Sequence, residues 1–247
     1  MKSSVSPRFL LTVCAGLLCA GQLWAQDTVI QKDNQRREGQ ILSVTDGTLK
    51  IKVGPAETGI PMANVASVTK AAPKGYEDAL AAWQTGDANK TLPLLKPVVD
   101  TFRGLPTPWA ERASGLLGEV YLALDQVPAA EAAFASFQKA YPQAGAAADI
   151  GLARLAVTKK NFAAAKAKLA PIVAEAETVT IAPAGKNAAY GQAFYLMGMV
   201  RESEGQLPEA LRDYLSAVTL FHEDKAIVAK AQERAKILIE EKKISVP

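Results

Sequence analysis

The chain is poor in the residues that carry most enzyme chemistry. It has two cysteines and one histidine, and its aromatic residues make up only 6% of 247 positions. Both cysteines, Cys14 and Cys19, lie near the start. The rest of the chain therefore offers no disulfide, no thiolate nucleophile and no cysteine-ligated metal. The lone histidine, His222, leaves no basis for a Ser–His–Asp set. It adjoins Glu223 and Asp224, but consecutive residues at a helix end rarely converge on one ion, so no metal and no cofactor are expected. A phosphate-binding loop is missing too, since Gly185-Lys186 is followed by Asn187 and Thr180 stands where such a loop would begin with glycine. The reading is of a chain that is not an enzyme.

Charge of one sign is also lacking. The formal net charge is +3, and two of the basic residues, Lys2 and Arg8, precede the apolar run Phe9 to Ala20. That run is roughly a dozen residues, short of the ~20 needed to span a bilayer. Basic residues, an apolar run and the small-residue ending Leu23-Trp24-Ala25 predict a secretory signal peptide over residues 1–25. An uncleaved anchor is the alternative. Leu18, before Cys19, is not the small residue that lipoprotein signals carry there, so ordinary export is expected. Cleavage leaves 26 basic against 25 acidic residues. Such a balance provides no basic field for nucleic acid. A cysteine-free exported chain suits a bacterial periplasm or secretion, with no stable membrane span after cleavage.

Residues 26–70 alternate with a period of two. Thr28 to Lys32, Ile41 to Val44, Leu49 to Val53, Thr58 to Pro61 and Val65 to Thr69 read as five short strands. Asp46-Gly47 supplies the positive φ angles of a tight hairpin, and Gly39 is expected to mark a bend or bulge. The run VIQKDNQRREGQILSVTDGTLKIKV resembles the SH3-like and Sm-like small barrels. Sm-like proteins bind RNA through an Asp/Asn loop and a later Arg-Gly loop. Here Asp46-Gly47-Thr48 lacks the asparagine and no Arg-Gly follows, so the resemblance implies a barrel that caps or docks.

Residues 71–75 break the strand pattern and read as a linker. Alanine-rich helical periodicity then takes over. Prolines cluster near helix starts and turns, except Pro97 and Pro171, where kinks are expected. From Trp109 to Pro142 two helices flank a tight turn, and the pattern recurs downstream. Leu117-Gly118, Tyr121, Ala130, Phe134 and Pro142 form the fullest copy. Leu152-Ala153, Phe162, Ala165 and Leu169 form the next, 35 residues on, and Met197-Gly198, Gly205, Ala210, Tyr214 and Ala217 a third. About ten extra residues fall in the loop Thr178 to Lys186. Trp83, Gly86-Asp87, Thr91, Leu95 and Val98 form a degenerate earlier copy. These residues resemble the tetratricopeptide repeat (TPR) family, whose period is about 34 residues. The fold class expected is an α-helical solenoid over residues 76–224, preceded by the small all-β domain. Residues 225–247 form a capping helix and tail.

The resemblance implies that the first helix of each copy lines a concave groove. Its phase there presents Arg112, Glu119, Arg154, Tyr195, Met199 and Glu202, a mixture of both charges with an aromatic anchor. The lysine/asparagine clamp of chaperone-tail-binding members is not matched, since Gly115 and Glu119 occupy the comparable surface. The expected function is a non-catalytic envelope scaffold or adaptor that binds a protein or peptide in this groove. The alternatives are a module whose barrel binds glycan or cell-wall material, and self-association through the barrel.

Overall fold

The computed structural model describes residues 26–245. The expected signal peptide, residues 1–25, lies outside them. Strands β1 (Asp27–Gln31), β2 (Arg36–Thr45), β3 (Thr48–Val53), β4 (Ala56–Pro61) and β5 (Val65–Thr69) form an antiparallel sheet in the order β4-β3-β2-β1-β5. Asp46 and Gly47 turn between β2 and β3 with φ of 48° and 71°, as their identity predicts. The long β2 slips register between Ile41 and Ser43. The irregularity is thus not at Gly39. That residue stays in register with Asp27, and it is glycine because a Cβ would collide with the Lys52 carbonyl oxygen.

The inward residues Val29, Ile41, Leu49, Ile51, Ile60 and Val65 are all buried. Helical residues complete their core, with Leu105 and Ala110 buried in it and Phe102 and Trp109 packed at its edge. Lys70 fixes the junction. Its ammonium lies 2.8 Å from Asp27 and 5.3 Å from the Phe102 ring centroid, and its carbonyl accepts a 2.9 Å hydrogen bond from Trp109 Nε1. The segment read as a linker is therefore pinned at its start, and helix begins within it, at Lys74.

Nine α-helices follow among the described residues: α1 (Lys74–Gln84), α2 (Ala88–Phe102), α3 (Pro108–Ala123), α4 (Val127–Ala140), α5 (Ala146–Thr158), α6 (Phe162–Glu177), α7 (Asn187–Ser203), α8 (Leu207–Thr219) and α9 (Lys225–Glu240). Both α2 and α6 run on through Pro97 and Pro171. The first eight form hairpins α1/α2, α3/α4, α5/α6 and α7/α8 that share one register. A small residue and a large one recur sixteen positions apart: Ala79/Leu95, Gly118/Phe134, Ala153/Leu169 and Gly198/Tyr214. Each is buried. Glycine is matched with an aromatic ring and alanine with leucine, so the pair fills a similar volume each time. Four positions before the large residue stand Thr91, Ala130, Ala165 and Ala210, all fully buried.

The turns repeat as well. Gly86, Asp125, Lys160 and Gly205 have φ of 78°, 55°, 56° and 77°. The following amide donates to a carbonyl five residues back in every case: Asp87 to Ala82, Gln126 to Tyr121, Asn161 to Ala156 and Gln206 to Arg201. This left-handed cap satisfies the end of the first helix while reversing the chain. The α1/α2 hairpin, read as degenerate, is thus a complete structural copy. Extra length enters only between hairpins. Thr178 to Lys186 is one such insertion; the other precedes α3 and carries Leu105 into the sheet core.

Candidate binding face on the odd-numbered helices

Each helix packs on the next, and α3–α5, α5–α7 and α7–α9 also touch, forming a layer of odd-numbered helices. The small-residue register dictates what this layer exposes. With Gly118, Ala153 and Gly198 turned into the core, the next residue of each helix is Glu119, Arg154 and Met199, and all three are half-buried. Glu119 and Arg154 thereby meet across α3 and α5, and Arg154 Nη1 donates to Glu119 Oε2. Burial pushes the Glu119 carboxyl above its ordinary range, while Arg154 and, secondarily, Lys230 pull it down.

A second ion pair forms between α7 and α9. Arg234 Nη2 donates to Glu202 Oε1, and its Nε lies 3.2 Å from Glu202 Oε2. The Tyr214 hydroxyl donates to the same Oε2 at 2.8 Å. Glu202 thus takes three donors, and its charge is spent on holding Arg234. Between the two pairs stands Tyr195, half-buried, its ring 5.9 Å from that of Tyr214. Burial raises its hydroxyl pKa, opposed by Arg234 and Arg154. Its hydroxyl makes no hydrogen bond among the described residues.

Four of the six residues expected in a groove, Glu119, Arg154, Tyr195 and Glu202, are therefore brought together. Met199 lies beside them on α7, packed at the edge of the core. Arg112 does not join. It is exposed on α3 and faces the Tyr76 hydroxyl of α1. Sequence reasoning missed Lys230 and Arg234, because α9 read as a cap. Their four-residue spacing on an amphipathic helix was the available signal. Asp224 is occupied as the α9 N-cap, accepting from the amides of Ala226 and Ile227 and from Gln192. No group of three His, Cys, Asp or Glu among the described residues is placed to hold a metal ion. No helix among them is long and apolar enough to cross a membrane.

Outside this face lies one other notable charge. Asp213 of α8 is fully buried and accepts a 2.7 Å hydrogen bond from Arg201 Nη1 at Oδ1, while Oδ2 has no partner among the described residues. Burial raises its pKa to about 7 against the pull of Arg201. Compared with protein-family models, curated proteins and solved structures, the chain matches none.

Proposed function

We propose that the protein is a non-catalytic scaffold of the bacterial envelope, exported to the periplasm or beyond. In this reading the hairpins are tetratricopeptide-type repeats, the strands are a docked small barrel, and the odd-helix face receives a protein or peptide segment. One observation carries the reading. Side chains from α3, α5, α7 and α9, far apart in sequence, converge on one face around the half-buried Tyr195. Helix stacking brings these side chains together, and their ion pairs hold them in fixed orientations, as a surface that positions a ligand requires. The Glu119–Arg154 and Glu202–Arg234 pairs also pre-order long side chains whose immobilisation otherwise opposes binding.

The test is site-specific crosslinking in the native envelope. A photo-reactive residue replacing Met199 on the odd-helix face should give discrete adducts, and Tyr195→Ala should abolish them. The same residue replacing Glu209, exposed on α8, should give none of these adducts. Identical adducts from both positions would overturn the proposal.

A further inference from the structure

The donors on the odd-helix face outnumber its acceptors. Glu202 is saturated by Arg234 and Tyr214, and Glu119 is engaged by Arg154. Arg154 uses Nη1 alone, Arg234 keeps Nη1 unspent, and the Tyr195 hydroxyl is unspent. Lys230 is exposed and makes no ion pair among the described residues, although it lies close enough to act on Glu119. The remaining carboxylate facing this space, Glu233, is exposed beside Lys230 on α9. Donors on α5, α7 and α9 are therefore left without an acceptor among the described residues.

On the reading of this face as a binding surface, we propose that its ligand is an acidic peptide segment. A side-chain carboxylate of that segment sits against Tyr195, between Arg154 and Arg234, and α9 forms the cationic wall through Lys230. Three arguments support a carboxylate over a neutral acceptor. Charge-assisted hydrogen bonds are roughly twice as strong as neutral ones. Guanidinium groups already oriented by Glu119 and Glu202 present fixed donors to a planar two-oxygen group. The half-buried setting of Tyr195 and Arg154 also weakens the screening that would operate on an open surface. Glu119 and Glu202 are positioning residues here. They touch the arginines and not the ligand, so the binding contacts fall to Arg154, Tyr195, Lys230 and Arg234. Helix α9 is then a functional wall of the site as well as the end of the array.

The experiment is a titration of the purified protein, followed by NMR of arginine Nε–H and tyrosine ring signals. The probes are acetyl-Glu-Glu-Glu-amide, acetyl-Lys-Lys-Lys-amide and inorganic phosphate. The acidic tripeptide should shift the Arg154, Arg234 and Tyr195 signals saturably, and the basic one should not. Lys230→Gln and Tyr195→Phe should each weaken that binding roughly three- to tenfold. Lys230 is exposed and unpaired, so its substitution leaves the fold intact and keeps the test decisive. Binding of tri-lysine equal to that of tri-glutamate would overturn the proposal, as would unchanged affinity in both variants. Phosphate binding more tightly than tri-glutamate would overturn the peptide assignment in favour of a small free anion. Loss of tri-glutamate binding with crosslinks at position 199 preserved would remove this inference and leave the scaffold reading standing.

Discussion

Replacing Gly118 by alanine sets two known effects against each other. Gly118 lies inside α3, where alanine is favoured over glycine by about 1 kcal/mol. On propensity alone Gly118→Ala stabilises. The packing opposes this, since a Cβ at Gly118 would lie 2.5 Å, 2.6 Å and 2.7 Å from three carbons of the Phe134 ring. Carbon atoms at ease sit about 3.5–4.0 Å apart. The ring cannot retreat toward α5, because a Cβ at Gly151 would already stand 2.5 Å from its Cε1. Phe134 is thus held between two bare glycine backbones. Overpacking of this kind costs about 1–3 kcal/mol, enough to reverse the propensity gain. Urea denaturation monitored by circular dichroism should show Gly118→Ala destabilised by about 1–2 kcal/mol. Adding Phe134→Leu creates the alanine–leucine pairing that Ala79/Leu95 and Ala153/Leu169 already use. The double variant should then lose less than the sum of the two singles, with a coupling of about 1 kcal/mol or more. A stabilised Gly118→Ala, or strictly additive losses, would refute the volume-pairing argument.

Three other outcomes follow from the same structure. Lys160 holds a φ of 56° at the turn position where Gly86 and Gly205 stand; Lys160→Gly should relieve strain and raise stability by about 0.5–1 kcal/mol in the same urea assay. Asp213, with its pKa raised from 3.8 to about 7, binds its proton more tightly in the folded chain than in the unfolded one. Its contribution is full below about pH 4 and is lost as pH rises through 7, by at most about 4 kcal/mol. The stability difference between wild type and Asp213→Asn should therefore shift steadily in favour of the variant from pH 4.5 to pH 8, and a pH-independent difference would refute it. Trp109→Phe removes the bond to the Lys70 carbonyl at a cost of about 1–2 kcal/mol. Hydrogen exchange should then quicken at the β1–β5 amides while α5 to α8 stay protected.

How much of this was legible depends on whether the deciding interaction is local. Asp46-Gly47 could be read because two adjacent residues determine the turn. Gly118, Ala130 and Phe134 could be read because one hairpin brings them together at fixed spacing. Gly39 was misplaced as a bulge because its constraint, the Lys52 carbonyl, belongs to a neighbouring strand. The first hairpin looked degenerate in part because Thr91 stands where the other copies have Ala130, Ala165 and Ala210. Thr91 fits that buried position by donating its hydroxyl to the Asp87 carbonyl at 2.7 Å. Asp213 gave no signal, since its burial rests on an arginine contributed by the preceding helix.

The odd-helix face obeys the same logic. Its location follows from the repeat, since whatever follows the small core residue must look outward from the first helix. The chemistry does not follow, because the repeat leaves that position unconstrained: it is Leu80, Glu119, Arg154 and Met199 in successive copies. Stacking α3 against α5 brings two of these residues, Glu119 and Arg154, into contact. The face thereby acquires a charge pattern that no single copy contains. Glu119 next to Arg154 is an ion pair, whereas two glutamates in succession would repel across the same gap. Helix α9 extends the pattern without belonging to a hairpin, and its Arg234 pairs with Glu202 as Arg154 pairs with Glu119. A helix outside the repeat register is thus the element through which the face gains its second arginine, and only the tertiary arrangement could reveal it.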